Sequence, residues 1–233
     1  MSVLLVLFWN RPEGAAGPDL AEGDPARLRL ALAALPGLRE AQIFTPARAS
    51  DLYTDDGLSP PLGLQLHFTD IAALEAAAGP QGGLQALFGG DVLTGLDPAR
   101  ADAQAFLRRD YPVDQPDHAP GARPCSFVVH YPGPAEDVNA WLAYYIDGHP
   151  PLMRRMPGIR GIEILTPVDW VSHLPVAKAR HMLRNRVLFD SPEALTAALQ
   201  SPIRHELRED FANLPAFEGG NYHHAMLTET FRP

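Results

Sequence analysis

Leu35-Pro36-Gly37-Leu38-Arg39-Glu40-Ala41-Gln42-Ile43-Phe44-Thr45-Pro46 returns 121 residues later as Met156-Pro157-Gly158-Ile159-Arg160-Gly161-Ile162-Glu163-Ile164-Leu165-Thr166-Pro167, with six of the twelve positions identical. The same offset carries Phe68 to Phe189, Ala73-Leu74 to Ala194-Leu195 and Ala76-Ala77 to Ala197-Ala198. Solenoid repeats run about 20–50 residues, so a period this long describes two copies of one small α/β domain. Residues that the fold needs recur in both copies. Residues present in only one copy are candidates for function.

Each copy has the pattern β-α-β-β-α-β. Val3-Leu4-Leu5-Val6-Leu7-Phe8-Trp9 and Phe127-Val128-Val129-His130-Tyr131 are matching first strands. In the second copy Val138, Trp141, Leu142 and Tyr145 form an apolar stripe at i, i+3, i+4 and i+7. Leu28, Ala31, Leu32 and Leu35 form the stripe of the first copy, with Asp24 expected as N-cap and Pro25 at the first helical position. Second strands follow Pro-Gly at 41–44 and 162–165, and third strands cover 64–68 and 183–189. Ser191-Pro192-Glu193 starts a helix that buries Ala194, Leu195, Ala198 and Leu199. Ala105-Phe106-Leu107 and Ala225-Met226-Leu227 are the last strands. The segment 111–124 holds four prolines and no apolar period, and is the linker. The domains are therefore 1–118 and 119–233.

A βαββαβ unit is ferredoxin-like, a four-stranded antiparallel sheet with both helices on one face. The expected class is α+β, two tandem units packed sheet to sheet as an intramolecular α/β barrel. Strand alternation places Asn185, Val187 and Phe189 towards the helices and Arg184, Arg186 and Leu188 on the opposite face, where Gln65 and His67 lie in the first copy. Glu163 joins this second face, so the barrel would be lined partly by Arg, Glu, Gln and His, as a ligand cavity is. Exposure of these groups at sheet edges is the alternative.

Net charge is −9, and the single lysine, Lys178, belongs to no basic run. That excludes a phosphate-backbone partner, which needs a basic face. The lone Cys125 suits a reducing, cytoplasmic setting. Seven apolar residues near the start fall well short of the ~20 that span a membrane. No HxxxH or HExxH spacing, Gly-rich phosphate loop or GxSxG elbow is present. No metal or tightly bound cofactor is expected.

The chemistry concentrates in Tyr144-Tyr145-Ile146-Asp147-Gly148-His149-Pro150-Pro151-Leu152. Gly148 is a natural residue to end a helix, and Pro150 favours extended backbone at His149. His149 beside Asp147 and two tyrosines is placed as a general acid/base, because imidazole exchanges protons near neutrality. The first copy has Leu28 at the equivalent position, so the fold does not require a histidine there. Trp141, two turns earlier, would line the same pocket. His130 stands on an apolar strand and is a core or cavity histidine. Capping of helix-end carbonyls by His149 is the structural alternative.

Tyr144-Tyr145, His149-x-Pro151-Leu152, Pro157-Gly158 and Phe189-x-Ser191-x-Glu193-Ala194-Leu195 together resemble the EthD family of the dimeric α/β-barrel superfamily. The resemblance covers most of residues 125–233, whereas the first copy keeps only the Pro-Gly and Ala-Leu landmarks. It implies a tandem, diverged form in which one chain builds the barrel, as a monomer or as a homodimer through exposed edges. It also implies an enzyme for a small apolar or aromatic molecule, of monooxygenase-like or cyclase/isomerase type. His149 would be its acid/base, oriented by Asp147 or Tyr145, with Arg184 or Arg186 holding a carboxylate or enolate oxygen. Tyr144, Trp141, His130 and Glu163 would complete the substrate site. Two further readings are a non-catalytic binding or carrier module, and a haem protein using His181 or His149 as ligand.

Overall fold

Both copies turn from first helix to second strand through the same four-residue bend. Gly37 and Gly158 adopt φ of 76° and 74°, and the amides of Leu38 and Ile159 each donate to the carbonyl three residues back, of Leu35 and Met156, at 3.3 Å. Pro followed by a left-handed Gly is the type II turn signature. In the computed structural model, which describes residues 2–12, 17 and 19–233, the first copy comprises β1 (Ser2–Trp9), α1 (Asp24–Ala33), β2 (Leu38–Pro46), β3 (Leu62–Phe68), α2 (Ile71–Ala77) and β4 (Ala101–Tyr111). The second comprises β5 (Cys125–Tyr131), α3 (Val138–Met153), β6 (Gly161–Pro167), a two-residue β7 (Ala177–Lys178), β8 (Leu183–Phe189), α4 (Pro192–Leu199), α5 (Ile203–Ala212) and β9 (Tyr222–Phe231).

The strand order is β1-β3-β2-β9-β5-β8-β6-β4, and β4 returns to β1. The two sheets thus join through their edges into one closed antiparallel barrel. β2 pairs with β9 over residues 41–46 and 226–231, and β6 pairs with β4 over 162–167 and 106–111. Each second strand accepts the other copy's last strand. All eight barrel strands have a neighbour on both sides, so the exposed edges considered for dimerisation are used within the chain.

Closure buries both sheet faces and produces three cores. Leu5, Leu7 and Trp9 pack against α1 and α2, while Tyr131, Trp141, Tyr145 and Phe189 pack on the helix side of the second sheet. Leu4, Val6, Phe8, Phe44, Phe106, Val128, Leu165 and Met226 fill the middle of the barrel. Alternate residues of β1 therefore enter different cores, and its unbroken apolar run follows from burial on both faces. Gly63 lets the Phe8 ring tuck inwards, since a Cβ there would stand 2.5 Å from that ring.

Arg186, Glu163, Gln65 and His67 do line the barrel, but as a bonded network. Arg186 grips Glu163 through Nε (3.0 Å) and Nη2 (2.6 Å), Gln65 donates to Glu163 at 2.8 Å, and Arg186 Nη1 donates to Ser126 Oγ at 3.2 Å. Burial alone would raise the Glu163 carboxyl. The Arg186 charge and hydrogen bonds, with Arg108 and Gln65, hold it at about 2.

Three local expectations are corrected. The N-cap of α1 is Gly23, and the buried Asp24 carboxylate instead accepts the amides of Ala21, Thr94 and Gly95, fastening the 92–95 loop to the helix. α3 does not end at Gly148 but runs through Pro150 and Pro151 to Met153. Pro150 cannot donate to the Ile146 carbonyl, which takes the Tyr111 hydroxyl at 3.4 Å. α5 has no helical counterpart in the first copy, where a 3-10 turn, Gly83–Phe88, follows α2.

Glu163→Ala leaves Arg186 buried without its carboxylate and is expected to cost about 3–5 kcal/mol, measured by urea unfolding at neutral pH. Because the folded carboxyl sits at about 2 against an ordinary 4.5, its contribution is complete above pH 4.5 and disappears as pH falls towards 2. The wild-type protein should therefore lose stability over that window more steeply than the variant.

Candidate active site

The Asp137 carboxylate caps α3, accepting the amides of Asn139 and Ala140 at 3.0 Å each. From that start Trp141, Tyr145 and His149 fall at i, i+4 and i+8 on the buried face. Trp141 and Tyr145 stack at 5.2 Å between ring centroids, and the His149 ring lies 4.7 Å beyond Tyr145. Running the helix past Gly148 is what sets His149 in this column of rings.

The carboxylate at His149 comes from α5. His149 Nδ1 donates to Asp210 Oδ2 at 2.6 Å, and both side chains are nearly buried. Tyr144 lies on the outer side of α3, and its hydroxyl is raised above the ordinary value first by desolvation and then by the nearby Asp210 carboxylate. With Nδ1–H committed to Asp210, Nε2 is the nitrogen left for a bound molecule, the orientation used by acid/base histidines. Asp147, expected in the orienting role, is exposed instead.

Tyr145 is fully buried, and its oxygen accepts from Asn185 Nδ2 at 2.5 Å. Its ring meets that of Tyr131 edge-on, 5.3 Å between centroids. Burial raises both phenols, so they remain protonated donors at neutral pH.

His149, Tyr131, Asn185, Asn221 and Arg208 line a small cavity of about 60 Å³ between α3, α5 and the second sheet. It adjoins an open groove of about 490 Å³, the two sharing Thr54, Phe127 and His223. The groove wall is the 47–59 segment of the first copy. Arg204 of α5 fastens that wall through Asp51 (Nε and Nη2 contacts of 2.9 Å), and Asp56 accepts from His223 Nδ1 at 2.7 Å. The diverged copy thus encloses the site of the other. At the position of His149 it has Leu28, buried in apolar core.

The sequence-derived residues divide between two places. Tyr144, Tyr145, Trp141 and His149 gather around the α3–α5 interface, with Trp141 as packing behind Tyr145. Arg184, Arg186, His130 and Glu163 do not reach this cavity, because they occupy the barrel face of the sheet whose other face presents Asn185 and Val187. The cations at the cavity are Arg204 and Arg208. His181, considered as a haem ligand, lies 5.1 Å from His130 on the barrel side. α5 supplies Asp210, Arg204 and Arg208, none of which was singled out beforehand. Ile203, Leu207 and Phe211, at i, i+4 and i+8, were the signal for that helix.

No family model and no curated protein matches the chain. Solved structures do. An anthrone oxidase-like protein superposes with a TM-score of 0.61 at 14% identity, covering 99% of this chain and 92% of the other. A candidate monooxygenase from Fusobacterium nucleatum gives 0.58 at 7% identity, with 99% and 94% covered. The fold is the dimeric α/β barrel, closed within one chain. An EthD family protein from Bacillus halodurans covers 47% of this chain with 98% of its own length at 18% identity, and its TM-score of 0.32 carries no argument for the family. Among the described residues no helix is long and apolar enough to cross a membrane.

Asp51→Ala leaves Arg204 largely buried without its carboxylate, and is expected to cost about 3 kcal/mol. Limited proteolysis should show faster cleavage within 48–58 while circular dichroism stays that of the folded protein.

Proposed function

We propose that this chain is an enzyme that removes an acidic proton from a small, mostly aromatic organic molecule, with His149 as general base. The observation that carries the reading is the enclosed His149–Asp210 pair at the end of a cavity lined by donors. His149 Nε2 takes the substrate proton, and the resulting imidazolium is stabilised by Asp210 through Nδ1–H. The electron pair left on the substrate becomes an enolate or phenolate oxygen, for which Asn185, Asn221 and Arg208 are the available donors. Returning the proton to another carbon gives isomerisation. Attack of the carbanion on a carbonyl carbon of the same substrate, the proton passing to the alkoxide formed, gives cyclisation. With dioxygen as co-substrate the carbanion takes up O2 and the proton as a hydroperoxide, which loses water to leave a carbonyl, so that one oxygen atom enters the product. The residues at the site need no resident cofactor for the first step. The structural likeness to an anthrone oxidase-like protein supports a polycyclic aromatic ketone as first probe.

The test is hydrogen–deuterium exchange at the acidic methylene of such a ketone, followed by NMR in deuterated buffer. Exchange reports proton removal whatever follows it. His149→Ala is expected to lower the catalysed rate by about 10²- to 10⁴-fold, with Asp210→Asn in between. Binding that weakens in His149→Ala with no catalysed exchange by the wild type would identify a carrier module instead.

A further inference from the structure

The barrel has a second polar cluster, at the mouth opposite the Glu163–Arg186 network. Arg184 is 1% exposed, and its guanidinium lies over the Phe8 and Phe106 rings, 5.3 and 5.4 Å from their centroids. Only its in-plane N–H groups can donate to polar partners. One does: Nη2 reaches Asp102 Oδ1 at 3.3 Å. Nε and Nη1 of Arg184 have no protein partner, and neither do His130 Nε2 and His181 Nδ1, all four of them buried atoms.

These groups belong together. The His130 ring is 5.1 Å from His181, 5.2 Å from His224 and 4.9 Å from Phe8, and His130 pairs with Arg184 across β5 and β8. The cluster is also held in place from outside. Gln104 accepts from the His181 amide and donates to the His181 carbonyl, both at 3.0 Å, and Asn10 donates to Asp102 at 2.7 Å. Two unpartnered buried nitrogens of Arg184 and one on each of His130 and His181 are far from ordinary, because each unmet buried polar group costs about 1–3 kcal/mol.

Burial lowers all three imidazoles, His181 to about 3, His224 to about 4 and His130 well below its ordinary value, so they are neutral and each has one N–H to donate. Together with the arginine they offer positive charge and donors. Among the described residues no three His, Cys, Asp or Glu side chains converge as a metal site. We infer that this mouth of the barrel is a binding site for a small planar oxyanion of formate or nitrate size, held by Arg184, His130 and His181. His181 and Asp102, both half-buried, form the rim of the cluster. The site is separated from His149 by the sheet and is independent of the reaction there.

Protein labelled with ¹⁵N in its histidine rings is titrated with sodium formate, chloride being exchanged at constant ionic strength. The ring signals of His130 and His181 are expected to shift saturably while those of His149 stay in place. Arg184→Met should weaken the effect about tenfold or more. Should that variant fail to fold, His181→Asn at the rim provides the same comparison, followed at His130. No saturable shift up to about 100 mM formate, where a millimolar site would be full, overturns the site. So does an affinity unchanged in the folded variant.

Discussion

Closure of the barrel through β2 with β9 and β6 with β4 is the constraint on which the rest of the molecule depends. Pairing the outer strands of each copy with those of the other removes every edge of the eight-stranded barrel and places both faces of each sheet in the interior. Burying a charge in such an interior is costly unless it is paired, and Glu163 is paired there with Arg186, Gln65 and Arg108.

The two faces of one strand consequently serve different ends. On β8, Asn185 and Val187 border the cavity below α3 and α5, while Arg184 and Arg186 project into the barrel. A single alternation of side chains separates a site suited to proton transfer from a charged interior. The division of labour between the copies has the same origin. The second copy holds His149 and Asp210, and the first contributes the 47–59 wall through the Arg204–Asp51 pair. The first copy has Leu28 in place of His149 and supplies instead the wall that encloses the site.

Much of the fold was legible because it rests on local rules repeated twice. The Pro-Gly turns, the Ser191 cap and the alternation on β8 are all properties of short segments, and the structure follows them. His149 stood out for a different reason, as a proton-active residue present in one copy only. Its partner did not. Asp147 is near in sequence, but one helical turn is 3.6 residues, so a neighbour two positions away points to another side. Asp210, 61 residues distant, reaches His149 because α5 packs against α3. The continuation of α3 through two prolines was equally hidden, since the Tyr111 hydroxyl at the Ile146 carbonyl comes from the other copy.

The amino-acid sequence by itself determined the two-copy βαββαβ organisation and the apolar faces, since these depend on periodicity and turn chemistry, and marked His149 as present in one copy only. Only the tertiary structure decided which carboxylate meets that histidine, which arginines lie at the cavity and which are enclosed in the barrel. Those outcomes depend on strand edges and helix faces brought together from distant parts of the chain, and hydrogen-bond partners over such separations leave no local pattern for a sequence to show.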